Sequence, residues 1–221
     1  KWEIGMIKIC VAGSTGWVGR ALVAALARSE DLRLVAATSR SHAGRDAGEA
    51  AGIAANGVIV SASLREALET PFDVLIDYTK PHVVKGHTLS ALEHGRHVVV
   101  GTSGLGAEDY AAIDAAARAA NKGVVAAGNF SITATLLKRF ALEAAKYVAD
   151  VEVIDYASAT KPDVPSGTGR ELGELLAQIR LPGTAKPVEE LTGLRETRGA
   201  SVGAPRPVQV HSVRMPSFVL S

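Results

Sequence analysis

Short apolar runs alternate with longer alanine-rich runs through the first half of this 221-residue chain, and that alternation restricts its fold more than any other feature. Ile7–Ala12, Leu32–Thr38, Val58–Val60, Asp73–Tyr78, His97–Val100 and Gly123–Ala127 read as strands. Trp17–Arg28, His82–His94 and Glu108–Asn121 read as helices between them. Strands that are apolar on both sides and separated by helices belong to a parallel sheet covered on both faces. The pattern changes after Asn129. Ile132–Ala149 reads as one long helix and Val151–Tyr156 as a strand, followed by the polar loop "ASATKPDVPSGTG". A helix over roughly Arg170–Ile179, a proline- and glycine-rich stretch and a strand at Val208–Arg214 complete the chain. The expectation is an α/β protein with domains over 1–128 and 129–221, divided near Gly128–Ser131.

The net charge of +1 offers no basic field for nucleic acid or an anionic membrane. No apolar run is long enough to span a bilayer, and "KWEIG" lacks the apolar core of a signal peptide. Lys1–Gly5 read as a leader before Met6, and the C-terminal end at Val219–Ser221 reads as truncated inside an apolar stretch. The lone cysteine, Cys10, falls inside the first apolar run and reads as a buried, reduced thiol. Together these features point to the cytoplasm. The six histidines are scattered over different elements without metal-ligand spacing, so no metal is expected.

The first strand runs straight into "GSTGWVG", residues 13 to 19. Glycines there permit a tight turn and close approach to a pyrophosphate, and the helix that follows offers free N–H groups at its positive end. The spacing is G-x-x-G-x-x-G, so context carries the reading more than the motif does. A site built for NAD places a carboxylate about 20 residues after the glycines, on the ribose 2′-hydroxyl. Here that position is Ser39, followed by Arg40, in "VAATSRSHAGR". Arg40 can pair with a 2′-phosphate and Ser39 can donate to it, so NADPH is the expected cofactor, with NADH possible. In the second half, "KPDVPSGTG" sets a lysine before a rigid turn and opens a helix with Ser166, Gly167 and Thr168. Backbone N–H groups plus hydroxyls at a helix start suit a small carboxylate.

At this point the chain resembles the 4-hydroxy-tetrahydrodipicolinate (dihydrodipicolinate) reductase family from about Met6 to Ser221. The resemblance rests on "VAGSTGWVG", "DVLIDYTKP", "VVVGTSGL", "AGNFSI", "KPDVPSGT" and "VQVHSVR", in the family's order. It implies a Rossmann-type parallel-sheet domain for the cofactor and a smaller α+β domain for substrate and oligomerisation, assembled as a homotetramer. It implies that Gly13, Ser14, Thr15, Gly16, Trp17 and Val18, then Gly101, Thr102 and Ser103, then Gly128, Asn129 and Phe130, line the cofactor. Lys161 would be the catalytic lysine. Gly167 and Thr168, with Ser166 beside them, would hold a carboxylate of a small cyclic dicarboxylate, reduced in lysine and diaminopimelate biosynthesis.

One departure stands out. The family reads H-H-x-x-K where this chain has "ASATK", so Ala157 and Ser158 replace the proposed proton donor and its neighbour. His211, Tyr156 and Asp155 are the candidates to replace the lost acid, and Arg214 could meet a carboxylate. Two other readings stay open: a paralogous reductase of another small imine or enone acid, and an NADPH-binding protein without catalysis.

Overall fold

A computed structural model describes residues 5–148, 151–159, 164–179, 190, 192, 199–204 and 207–215, with the side chains of 214 and 215 outside the description. The chain divides into two compact units, 1–128 and 129–221.

The first unit is a six-stranded parallel sheet in the order β3-β2-β1-β4-β5-β6. Its strands are β1 (Ile7–Ala12), β2 (Leu32–Thr38), β3 (Val60–Ser61), β4 (Val74–Asp77), β5 (His97–Val100) and β6 (Val124–Ala126). Helices α1 (Trp17–Leu26), α2 (Ala47–Ala51), α3 (Leu64–Ala67), α4 (Pro81–Glu93) and α5 (Ala107–Ala120) intervene. The run Ile9–Ala12 of β1 is apolar without alternation because both of its faces are buried. In β1, Ile9 and Val11 join Val23 and Leu26 of α1 in one cluster. Cys10 and Ala12 face the other way, into a cluster with Val84 and Leu92 of α4. Leu75 is fully buried in the second cluster. Truncating such a leucine to alanine typically costs about 2–5 kcal/mol.

Cys10 is 0% exposed. Burial, and second the Asp77 carboxylate nearby, push its thiol up to about 12. The neutral thiol is unreactive, so iodoacetamide is expected to label Cys10 only after denaturation, as peptide mass spectrometry would show. Labelling of the folded protein at a free thiol's rate would contradict this burial. An unfolded chain ionises the thiol near its ordinary value of 9.0. The stability linked to it is therefore intact below that pH and declines as pH rises toward about 12.

The second unit holds α6 (Ile132–Ala144), β7 (Glu152–Ser158), α7 (Gly167–Ile179), β8 (Ala200–Val202) and β9 (Val208–Met215). Its mixed sheet has the order β7-β9-β8, with β9 parallel to β7 and antiparallel to β8. Among the described residues one face only is covered, and β7 alternates. Val153, Asp155 and Ala157 are buried, while Glu152, Ile154 and Tyr156 are exposed. Leu176 and Ala177 of α7 pack with Val153, Val208 and Val210.

Several boundaries differ from the sequence expectation. The strand expected at Val58–Val60 is Val60–Ser61, with Ile59 making only an isolated bridge to Asp46. Strand β7 extends through Ser158, so Ala157 and Ser158 lie inside it rather than in the following loop. Helix α7 starts at Gly167, three residues before Arg170, because Ser166 begins it. Helices α2 and α3 and strand β8 had no counterpart in the sequence reading.

Candidate active site

In a doubly wound sheet ligands bind beyond the carboxyl ends of the strands, where the strand order reverses. That point lies between β1 and β4. The glycine loop leaves β1 there. Gly13 turns with φ +80, and an added Cβ would run into the Tyr78 carbonyl oxygen. Gly19 lets α1 pack on the loop, since a Cβ there would strike the Gly13 oxygen and the Ser14 backbone. Gly13 N and Ser14 N both donate to Thr38 O, at 3.1 and 3.0 Å. Gly16 caps α1 with no side-chain bond, and the first turn holds no acidic residue. The positive end of α1 is therefore left to a ligand.

Thr15 Oγ1 lies 2.6 Å from Ser39 Oγ, which joins the glycine loop to the end of β2. Ser39 Oγ continues to Ser41 Oγ at 3.3 Å, and Ser41 Oγ to His42 Nδ1 at 2.9 Å. Arg40 is exposed and has no ion pair or hydrogen bond among the described residues. The nearest acid in sequence, Asp46, accepts N–H groups from Gly48, Glu49, Asn56 and Gly57. Burial raises its carboxyl, these backbone donors lower it by more, and the net is below the usual carboxylate range. That carboxylate is committed to its own turn.

Two expected cofactor residues have side chains that do structural work. Ser14 is 1% exposed and its hydroxyl donates to Thr38 O, so only its backbone can meet a ligand. Thr102 Oγ1 donates to Asp77 Oδ1 at 2.9 Å. Gly101 N donates to Asp77 O at 2.9 Å, and a Cβ on Gly101 would enter the Tyr78 ring. Burial raises the Tyr78 phenol. Trp17 and Ser103 are exposed, Val18 is half-buried, and Gly128 follows β6 at the same edge of the sheet. The sequence reading did not single out Asp77 or His87. An acid closing an apolar strand, followed by two hydroxyl residues at separate strand ends, is the only signal the sequence offers.

In the second unit, Asn129 Oδ1 accepts Ser131 N, and Ser131 Oγ caps α6. Phe130 is 48% exposed. Lys161 lies outside the described residues. Ser166 is 1% exposed; its N–H and hydroxyl both donate to Asp155, at 2.8 and 2.9 Å, and its oxygen accepts Gly169 N. Ser166 thus fixes the helix start, and Gly167 and Thr168 behind it are both half-buried.

The candidates for a substitute acid fare unequally. Asp155 is buried and takes Ser212 Oγ at 3.4 Å besides Ser166, so its carboxylate anchors the turn. His211 pairs in register with Ile154, and Val213 with Tyr156. His211 and Tyr156 therefore sit on the sheet face opposite Asp155 and the start of α7. His211 Nε2 is 3.3 Å from Glu152 Oε2, within ion-pair reach but without hydrogen-bond alignment. Arg214 pairs in register with Ala157. Among the described residues no three metal-ligating side chains are gathered, and no helix is long and apolar enough to cross a membrane.

A glycine turn into an uncapped helix at the switch point of a 3-2-1-4-5-6 sheet, followed by a separate mixed-sheet unit, defines the class of two-unit dinucleotide-dependent oxidoreductases. Comparison narrows the class. A family model for the dihydrodipicolinate reductase N-terminus matches residues 7–130, and one for its C-terminus matches 133–221. The chain is 37% identical over 217 residues to 4-hydroxy-tetrahydrodipicolinate reductase of Bacillus cereus, spanning 96% of this chain and 79% of the relative. It is 35% identical over 218 residues to the same-named protein of Thermosynechococcus vestitus, at 96% and 78%. The dipicolinate-bound dihydrodipicolinate reductase from Paenisporosarcina superposes with a TM-score of 0.71 at 31% identity, covering 97% of this chain and 80% of that one. The WlbA dehydrogenase of Bordetella pertussis, solved with NADH and UDP-GlcNAcA, shares the fold at 22% identity and a TM-score of 0.54, covering 71% of this chain and 48% of that one. This chain belongs to the dihydrodipicolinate reductase family.

Proposed function

We propose that the chain reduces 4-hydroxy-tetrahydrodipicolinate to tetrahydrodipicolinate in lysine and diaminopimelate biosynthesis, with NADPH preferred over NADH. Overall, substrate, NADPH and a proton give product, NADP⁺ and water. The single observation carrying the reading is the match to both halves of one reductase family, supported by a glycine loop that opens α1 and by a helix that begins at Gly167. The residues fit a dinucleotide: Gly13 and Gly19 close the turn, and the start of α1 is uncapped. When bound, the nicotinamide supplies the hydride.

Domain 1–128 would bind the dinucleotide. Backbone groups of Gly13–Val18 would hold the pyrophosphate, Ser39 and Arg40 the 2′-phosphate, and Gly101–Ser103 with Gly128–Phe130 the rest of the cofactor. Domain 129–221 would bind substrate and assemble a homotetramer. Gly167 and Thr168 would hold a substrate carboxylate at the positive end of α7, positioned by Ser166. Lys161 would orient the substrate and help supply the proton at its nitrogen. The exposed Ile154, Tyr156 and Val213 on one sheet face support assembly with further copies. The buried thiol of Cys10 suits a reducing cytoplasm.

The NADPH preference rests on the missing carboxylate at the end of β2 and on the exposed Arg40, which has no partner among the described residues. Titrating both cofactors against Trp17 fluorescence should show NADPH binding several-fold more tightly, as a charge-assisted phosphate contact would give. Arg40→Asp should flatten or reverse that order, because it swaps attraction for repulsion. Equal affinities that the substitution leaves untouched would remove Arg40 from the site.

Ala157 and Ser158 in place of the family's histidines favour a second reading, a protein that binds NADPH without turnover. Binding without substrate-dependent oxidation would select it.

A further inference from the structure

The carboxylate at the end of β4 is out of keeping with its neighbours. Asp77 pairs in register with Ala12 on one side and Val100 on the other, and all three positions are fully or almost fully buried. An apolar residue would satisfy the sheet, whereas a buried carboxylate must be compensated by donors. Asp77 finds four. Oδ1 accepts Thr79 N at 2.9 Å, Thr79 Oγ1 at 2.6 Å and Thr102 Oγ1 at 2.9 Å. Oδ2 accepts His87 Nδ1 at 2.8 Å; facing a carboxylate, that nitrogen carries the proton. Thr79 N is shared with Thr102 Oγ1 at 2.8 Å. One carboxylate thus ties together the loop after β4, the loop after β5 and helix α4. All three lie at the carboxyl edge beside the switch point, and His87 reaches in from α4 with its side chain 26% exposed.

We propose that Asp77 and His87 form a positioning pair that fixes the Thr79 and Gly101–Ser103 loops in the arrangement that receives the cofactor. The pair touches no cofactor itself and acts through Thr79 and Thr102. This inference rests on the dinucleotide reading given above. His87 orients the carboxylate, and the carboxylate sets the two threonine hydroxyls that join the loops.

The test compares two pairs of variants. His87→Phe keeps the ring and removes the donor, while His87→Asn keeps an N–H at the place of Nδ1. Thr79→Val keeps the shape and removes the hydroxyl, while Thr79→Ser keeps it. NADPH titration, the melting temperature of the cofactor-free protein, and amide exchange at Thr79 and Gly101 are measured for each. His87→Phe and Thr79→Val should weaken NADPH about tenfold, in line with a hydrogen bond to a charged group. Exchange at Thr79 and Gly101 should quicken, and His87→Asn and Thr79→Ser should return affinity to within about threefold of wild type. Wild-type affinity in both donor-less variants, even with a lowered melting temperature, would make the pair a purely structural bond and overturn the proposal. A wild-type chain that binds neither NADPH nor NADH would overturn the dinucleotide reading and this inference together.

Discussion

Gly16→Val is expected to raise the Kd for NADPH on the order of 100-fold, which corresponds to ~2.7 kcal/mol, while leaving the circular dichroism spectrum of the folded protein intact. The separation of binding from folding follows from local geometry. Gly16 is exposed, with φ −69 and ψ 172, a backbone that any residue adopts. An added Cβ meets only the Gly13 oxygen, at 3.3 Å, so the turn yields by a few tenths of an ångström. A valine cap in place of glycine costs α1 about 1 kcal/mol. Its two methyl groups, however, stand at the uncapped start of α1, where the pyrophosphate would lie. The same substitution at Gly19 should behave differently. Its Cβ would overlap the Gly13 oxygen and the Ser14 backbone, so Gly19→Val should lose the fold along with binding. If Gly16→Val leaves NADPH affinity unchanged, the glycines serve the turn alone.

Sequence and structure agree where periodicity is strong. Strands β1, β2 and β5 stand within the ranges their apolar runs indicate, because burial keeps most of their residues apolar and leaves Lys8, Arg33 and His97 exposed near the strand starts. Helices α2 and α3 are five and four residues long, too short to show a helical period. Strand β8 is three residues long and lies in a stretch where glycine and proline suggest loop. In the site, the glycine loop and the Ser166–Thr168 helix start were legible because turn chemistry demands those residue types. The two buried carboxylates were not. Asp77 closes an apolar strand and looks like a polar boundary. Asp155 looked available for proton transfer, yet it is 7% exposed and committed to Ser166 and Ser212. Only three-dimensional pairing distinguishes such an anchor from a free acid. The faces of β7 and β9 were likewise invisible beforehand, and they put His211 and Tyr156 on the side away from α7.

Restoring the histidines is expected to have the second large effect. Ala157→His with Ser158→His should raise turnover of the family substrate on the order of 10²-fold, the usual contribution of a positioned acid or base. Ala157 is 1% exposed on the inner face of β7, so an imidazole there forces its neighbours apart, at about 1–3 kcal/mol. The melting temperature of the double variant should therefore fall by several degrees. Ser158 is half-buried, and Ser158→His alone should leave stability nearly unchanged. Comparing kcat and melting temperature across the two single variants and the double variant separates a regained donor from a disturbed strand. A double variant that stays folded and gains no activity would show that the histidines alone do not account for the difference from the family.

The central claim is tested most directly by following loss of NADPH absorbance with the wild-type chain and 4-hydroxy-tetrahydrodipicolinate generated in situ. The expected result is oxidation that requires both protein and substrate, runs faster with NADPH than with NADH at low cofactor concentration, and disappears in Lys161→Ala. Saturable NADPH binding with no substrate-dependent oxidation would contradict the reductase reading and leave a dinucleotide-binding protein without this reaction.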